Sequence, residues 1–255
     1  MEWISSLEDD CRQVGVEYIY MIFDQAAVDF SIIPILNGFP IEWHSLWQGL
    51  PEESSVRQAP LLIRFELNNR SQRLWLDDLC GEVATKSAVL MFCSLWPTPT
   101  LAGWLQKCTD GRHEGRPGLL RFYDPRLFPL LAGGLLNDEQ RQQLHRPVLF
   151  WSWLDRDGAP QRLVGDGSPP VCGEDVKSID LSDQQLEYLM CVCDANILLA
   201  QQPLAIPSFI SAETLFQICY RGMQEATDKG LIMDDERDAW VCGKISEYIT
   251  EKLSC

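Results

Sequence analysis

YIYMIF, residues 18–23, decides how the chain folds. It is an almost unbroken run of aromatic and β-favouring residues, the texture of a strand buried on both faces. Working outward, LLIRFEL (61–67), SAVLMFC (87–93), LLRFY (119–123) and VLFWSWL (148–154) repeat that texture. Between them RLWLDDLCGEVA (73–84), TPTLAGWLQKCT (98–109) and PRLFPLLAGGLLNDEQRQQL (125–144) have helical spacing. Alternating strands and helices predict an α/β lobe, with α+β as the variant, over residues 1–160.

Beyond residue 154 the pattern changes. DRDGAPQRLVGDGSPPVCGEDVKS (155–178) opens with a hairpin signal at Asp157-Gly158 and becomes rich in Gly, Pro and Asp, so residues 161–178 are expected to be a linker. Residues 179–255 then read as a smaller, all-helical lobe. Leu186, Leu189, Met190, Cys193 and Ile197 recur at spacings of three and four, with Ser182-Asp183 placed to cap the first turn. A second helix begins near Ala212, carries Phe216, Cys219, Met223 and Ala226 on one face, and stops at Gly230. A third, from about Asp235 to Leu253, carries Trp240, Val241, Ile245, Tyr248 and Ile249. These amphipathic faces must be covered by one another, by the first lobe or by a partner protein.

Bulk properties narrow the function. The chain has 255 residues, 46% of them hydrophobic and 23% charged, enough to bury a core without metals or disulfides. Its 37 acidic residues against 21 basic ones leave a formal charge of -16, which repels phosphate backbones and anionic lipid surfaces. No apolar run approaches the roughly 20 residues that cross a bilayer. The start, MEWISSLEDDCRQ, does not read as a signal peptide, because it is acidic where an export signal would be basic and no continuous apolar stretch follows it. The ten cysteines lie scattered in apolar segments, as reduced and mostly buried residues would. Cys191 and Cys193 form only a C-x-C, whose side chains leave a helix in different directions, without the ligand spacing of a zinc site.

Motifs that carry chemistry are absent: no phosphate-binding glycine loop, no dinucleotide fingerprint, no nucleophile elbow and no H-E-x-x-H. His44, His113 and His145 stand alone and read as solvated or capping residues. The best case for an enzyme is a pair of aspartates. Asp24 follows the first strand run and Asp124 the fourth, and strand ends are where ligands bind in open α/β sheets. Facing one crevice, the two would hold Mg²⁺ or act as acid and base in a metal-dependent α/β hydrolase. The competing reading makes Asp124-Pro125 a turn, with Asp124 capping a helix or pairing with Arg126. In that reading Arg121 to Tyr123 finish a buried strand, and Leu127, Phe128, Leu130 and Leu131 pin the next helix to the sheet. Among nine tryptophans, Trp43 and Trp47 would share a helical face and are candidate partner anchors, although core packing is the default for the type.

Four segments together resemble a bacterial family: IFDQAA (22–27), QAPLLIRF (58–65), RFYDPRLFPLL (121–131) and LNDEQRQQLHRPVLFW (136–151). They are similar to signatures of the family catalogued as domain of unknown function 4123, whose members are type VI secretion effector adaptors, or effector chaperones. The resemblance covers roughly residues 18–154, and R-F-Y-D-P-R is its most specific element. IDLSDQQLEYL and RGMQEATDKGLIMDDERD suit, more loosely, the helical lobe of such proteins. The resemblance implies a non-catalytic cytoplasmic protein that binds a toxic effector and loads it onto the VgrG spike. It assigns no catalytic residue, cofactor or metal. Arg121, Asp124, Pro125 and Arg126 match its motif, as structural or partner-binding residues. A protein-interaction module outside secretion remains the third reading.

Overall fold

The apolar run at 18–23 is the central strand of an antiparallel sheet. The computed structural model of the protein describes residues 2–171, 173–174, 176–201 and 206–254. The first 180 residues and the remainder form two compact units.

Helix α1 (Glu2–Gln13) leads into β1 (Tyr18–Asp24), a 3-10 turn at Gln25–Ala27, α2 (Ile33–Gly38), β2 (Glu42–Ser45) and β3 (Pro60–Glu66). Next come α3 (Arg70–Glu82), β4 (Val89–Cys93), α4 (Thr98–Thr109), and the hairpin of β5 (Asp110–His113) and β6 (Arg116–Leu119). A single turn, α5 (Phe128–Leu130), runs into a π turn at Leu131–Leu135, followed by α6 (Asp138–His145), β7 (Phe150–Leu154), β8 (Pro160–Val164) and β9 (Ile179–Asp180). The main sheet has the order β2-β3-β1-β4-β7-β8, and every neighbouring pair is antiparallel. A smaller sheet has the order β6-β5-β9.

Strand–helix–strand alternation therefore yields the α+β variant of the expected class. The reason is that β3 and β4 both run antiparallel to β1, which lies between them. The β3–α3–β4 crossover is the α/β-like unit that the alternation detects, and the strand inserted in its middle makes the sheet antiparallel.

Both faces of the sheet are nonetheless covered, which accounts for the continuous apolar runs. On one face Met21, Ile63, Met91 and Phe150 join α1 residues Ile4, Leu7 and Cys11 and α3 residues Leu76 and Leu79 in one core. The other face carries an aromatic row: Tyr20 pairs with Phe92, and Phe92 with Trp151, across three strands. Their ring centroids lie 5.3 and 4.8 Å apart. Phe128 closes over this row, 4.9 Å from Trp151 and 5.2 Å from Trp153.

Three expectations for this lobe are overturned. LLRFY (119–123) is not a strand: only Leu119 ends β6, and Leu120–Tyr123 are irregular chain whose backbone makes local bonds such as Phe122 N–H to Leu120 O. Burial of Phe122 and Tyr123 against the aromatic row, not sheet pairing, explains their apolar character. The helix expected over 125–144 starts at Phe128 and breaks at Gly134, whose φ of 143° no helix accommodates. It resumes at Asp138 behind a capping box made by Asn137 and Gln140. Trp43 and Trp47 share no helical face, because Trp43 lies in β2 and Trp47 in the turn after it.

The expected linker is also different in kind. Residues 160–164 are β8, paired with β7 through the hairpin that Asp157-Gly158 signalled. Beyond it the chain is strapped onto the first unit: Gly165 N–H donates to Leu149 O, Asp166 N–H to His145 O and Trp96 Nε1 to Ser168 O. Ile179 and Asp180 pair with β5, so the division falls between residues 180 and 181. Cys172 and Asp175 lie outside the described residues.

The second unit is helical: α7 (Asp183–Gln201), α8 (Ala212–Asp228) and α9 (Asp234–Ser254). Ser182 caps α7, its Oγ accepting from Gln185 N–H while its own N–H donates to Gln185 Oε1. Phe216, Cys219, Met223 and Ala226 are buried along α8, as are Val241 and Ile245 along α9. The expected face of α7 is displaced. Cys191, Val192, Ala195 and Leu198 are its buried positions, whereas Met190, Cys193 and Ile197 are exposed. Periodicity alone could not separate the two stripes, because α7 is apolar around most of its circumference.

Of the eight described cysteines, six are buried. Burial pushes the Cys80 and Cys108 thiols up to about 12. Cys191 is buried and Cys193 exposed, the divergence expected of C-x-C on a helix.

Candidate functional site

The segments IFDQAA and RFYDPR, distant in sequence, meet beside the end of β1. Asp24 closes that strand, its N–H donating to Ala88 O and its Oδ1 accepting from Ala26 N–H at 3.1 Å to cap the short turn. Gln25 is equally enclosed. Its Nε2 donates to Val56 O and Ala59 O at 2.9 and 3.0 Å, and its Oε1 accepts from Ser31 Oγ at 2.7 Å. Its amide nitrogen thus ties the 56–59 loop to the strand end, and its amide oxygen holds Ser31.

Asp24 Oδ2 accepts from Arg121 Nη2 at 2.5 Å, a contact across 97 positions of sequence. Asp24 is fully buried and the Arg121 side chain 38% exposed. Burial pushes the Asp24 carboxyl above the usual carboxylate range, because desolvation outweighs the attraction of Arg121, and Asp124 adds repulsion. Burial works to lower the Arg121 pKa, but pairing with Asp24 prevails and raises it. The cost of enclosing this pair therefore falls on the carboxylate, the deeper of the two groups.

Asp124 faces a second arginine. Its Oδ1 accepts from both Arg126 N–H and Arg126 Nε at 2.9 Å, and its Oδ2 from Arg126 Nη2 at 2.7 Å. Its own carbonyl accepts from the N–H groups of Leu127 and Phe128. Side chain and backbone together make Asp124 the hub of the turn that swings Phe128 onto Trp151. Pro125, buried in that turn, presets its φ. Tyr123, between the two aspartates, is buried, and desolvation raises its pKa.

The structure therefore brings Asp24 and Asp124 into one neighbourhood, as the acid–base and metal readings required, but each carboxylate is engaged by an arginine. Asp124 sits in a turn, not at a strand end, because the expected fourth strand is not formed. Among the described residues, no group of three or more His, Cys, Asp or Glu is placed to hold a metal ion. The arrangement can couple two chain segments; it presents no carboxylate free of a cation.

Of the two tryptophan candidates, Trp47 reaches this site, its side chain lying within hydrogen-bonding reach of Tyr123. Trp47 is buried in the core of the first unit, and Trp43, half-buried, packs against the same core. His145 is not solvated: it is buried, and its Nδ1 accepts from Trp151 Nε1 at 3.1 Å. Burial holds its pKa below the usual histidine value. Gln25 and His145 were missed as structural hubs because nothing in the local pattern reports a long-range hydrogen bond. Gln25 does sit inside the quoted IFDQAA segment, the one signal that could have found it.

The chain combines an antiparallel sheet lobe, latched by buried carboxylates paired with arginines, with a helical unit that follows it. Residues 19–143, just under half of the chain, match the family described as Domain of unknown function (DUF4123). No curated protein and no solved structure matches the chain. Among the described residues, no helix is long and apolar enough to cross a membrane.

Proposed function

We propose that the protein is a non-catalytic cytoplasmic adaptor that binds a type VI secretion effector and loads it onto the VgrG spike. The observation that carries the reading is the family match over residues 19–143, which contains the R-F-Y-D-P-R string on which the resemblance to effector adaptors rests. The geometry is in keeping with it. The motif side chains Arg121, Asp124 and Arg126 are held in ion pairs that shape a turn, as scaffold residues are. The separate helical unit supplies surface that can vary independently of that scaffold, and cargo selection is assigned to it.

Co-purification from the native host, with and without the neighbouring spike gene, tests the reading. An adaptor retains the adjacent effector and, when present, the spike; a chain that retains neither is not one. A truncation ending at Asp180 keeps β9 paired with β5 and so preserves the first unit. Its expected phenotype is loss of effector capture, and undiminished capture by a stable truncated protein would remove the helical unit from cargo selection.

A further inference from the structure

The helical unit has a surface that its own residues leave open. On α7, Glu187, Met190 and Asp194 are spaced by three and four and so share a face. The α8–α9 connection brings Leu231 and Ile232 opposite, with Asp234 at the start of α9, around an open recess of about 450 Å³. Its apolar residues are conspicuously solvated: Met190 is 55% exposed and Ile232 84%. Met233, beside Ile232 in the same connection, is 61% exposed. Contiguous apolar surface rimmed by charge marks an interaction site more often than scattered apolar residues do.

The rim has one sign. Arg237 is the cation lining the recess, and it is consumed: Nη2 pairs with Asp194 at 2.8 Å, and Nη1 donates to Thr227 Oγ1 at 2.9 Å and Leu231 O at 3.3 Å. These bonds fix the connection to α7 and α8, so the recess is preformed. Glu187 and Asp234 remain exposed on its edge. Asp238, one turn after Asp234, has its pKa raised by burial and then by Asp234, Asp194 and Asp235, which records the crowding of carboxylates. Residues 181–255 carry twelve acidic side chains against five basic ones.

Charge selects the occupant. Nucleic acid and a second copy of this acidic chain are both repelled, and a neutral apolar segment leaves the carboxylates unanswered. We propose that the recess docks a basic amphipathic segment of the cargo protein, its apolar anchor seated on Met190, Leu231 and Ile232 and its Lys or Arg residues facing Glu187 and Asp234. Only the identification of that partner as cargo rests on the adaptor reading.

The test uses the full chain and a labelled helical peptide of Leu and Lys, with a counterpart carrying Glu for Lys, in fluorescence anisotropy. The Lys peptide binds, more weakly as salt rises, and the Glu peptide does not. Glu187→Lys/Asp234→Lys lowers affinity by about tenfold or more, Ile232→Ser also weakens it, and the control Glu247→Lys/Glu251→Lys on α9 leaves it unchanged. Circular dichroism confirms that each variant is folded. Absence of binding, unchanged affinity in the recess variants or an equal loss in the control overturns the inference. The effector itself separates the two readings. Capture by the full chain and equally by the recess variants sinks the recess and spares the adaptor. No effector capture, with peptide binding lost only in the recess variants, sinks the adaptor and spares the recess.

Discussion

Asp24, wholly enclosed at the end of β1, holds the guanidinium of Arg121 at 2.5 Å and so ties the first strand of the sheet to the motif that caps its aromatic face. Replacing Asp24 by Asn keeps the shape and removes the charge. Breaking a fully buried pair costs roughly 3–5 kcal/mol, and the partial solvation of Arg121 discounts this to about 2 kcal/mol. Urea denaturation of the single variants and of Asp24→Asn/Arg121→Gln gives the coupling, expected to exceed about 0.5 kcal/mol. Additive losses would mean that the two side chains are neighbours without being partners.

Asp124 stabilises its turn through side chain and backbone, so Asp124→Ala should lower stability by about 1–2 kcal/mol. Arg126→Ala should cost less, about 0.5 kcal/mol, because that side chain is nearly half exposed and its pairing is screened by solvent. Thermal melting and effector capture are read on the same preparations. Wild-type melting combined with lost capture in Asp124→Ala would move the motif from scaffold to interface.

The His145–Trp151 bond gives the first unit an acid sensitivity. Burial lowers the folded pKa of His145 from its ordinary 6.5, although the Asp166 carboxylate opposes the shift. The unfolded chain therefore takes up the proton more readily. Stability from this group is complete above that value and is lost as pH falls through the folded pKa, with a slope of at most about 1.4 kcal/mol per pH unit. Protonation at Nδ1 also removes the acceptor for Trp151. Urea melts of wild type and His145→Gln between about pH 7 and 5 should show a shallower acid slope in the variant; parallel slopes exclude His145 as the source.

Gly165 lies where the strap meets the β7 side of the sheet, and a Cβ there would fall 2.1 Å from Val148 O. Gly165→Ala must displace backbone, at an expected cost of about 2 kcal/mol or more. At Gly133 a Cβ meets nothing within 4 Å, so Gly133→Ala should be neutral or stabilising by up to about 1 kcal/mol. Denaturant midpoints of the two variants decide this. Equal effects would mean that the strap yields easily and does not hold the sheet edge.

What the sequence alone determined is what short-range physics encodes. Apolar runs located β1, β3, β4 and β7, because strands covered on both faces need continuous apolar character. Helical spacing located α3 and α4, and Ser182, Asp157-Gly158 and Gly230 marked a cap, a hairpin and a helix end through local hydrogen bonding and backbone freedom. Proline and aspartate in RFYDPR announced a turn. Only the tertiary structure decided the rest. Strand direction followed from the insertion of β1 between β3 and β4, a long-range choice that leaves no periodic trace. Phe122 and Tyr123 look like strand residues because burial against Trp151 demands the same side chains as burial in a sheet. The link between Asp24 and Arg121 spans 97 positions, so neither residue's neighbours report it. On α7, apolar around most of its circumference, packing against α8 decided which stripe is buried and which, through Met190, stays open.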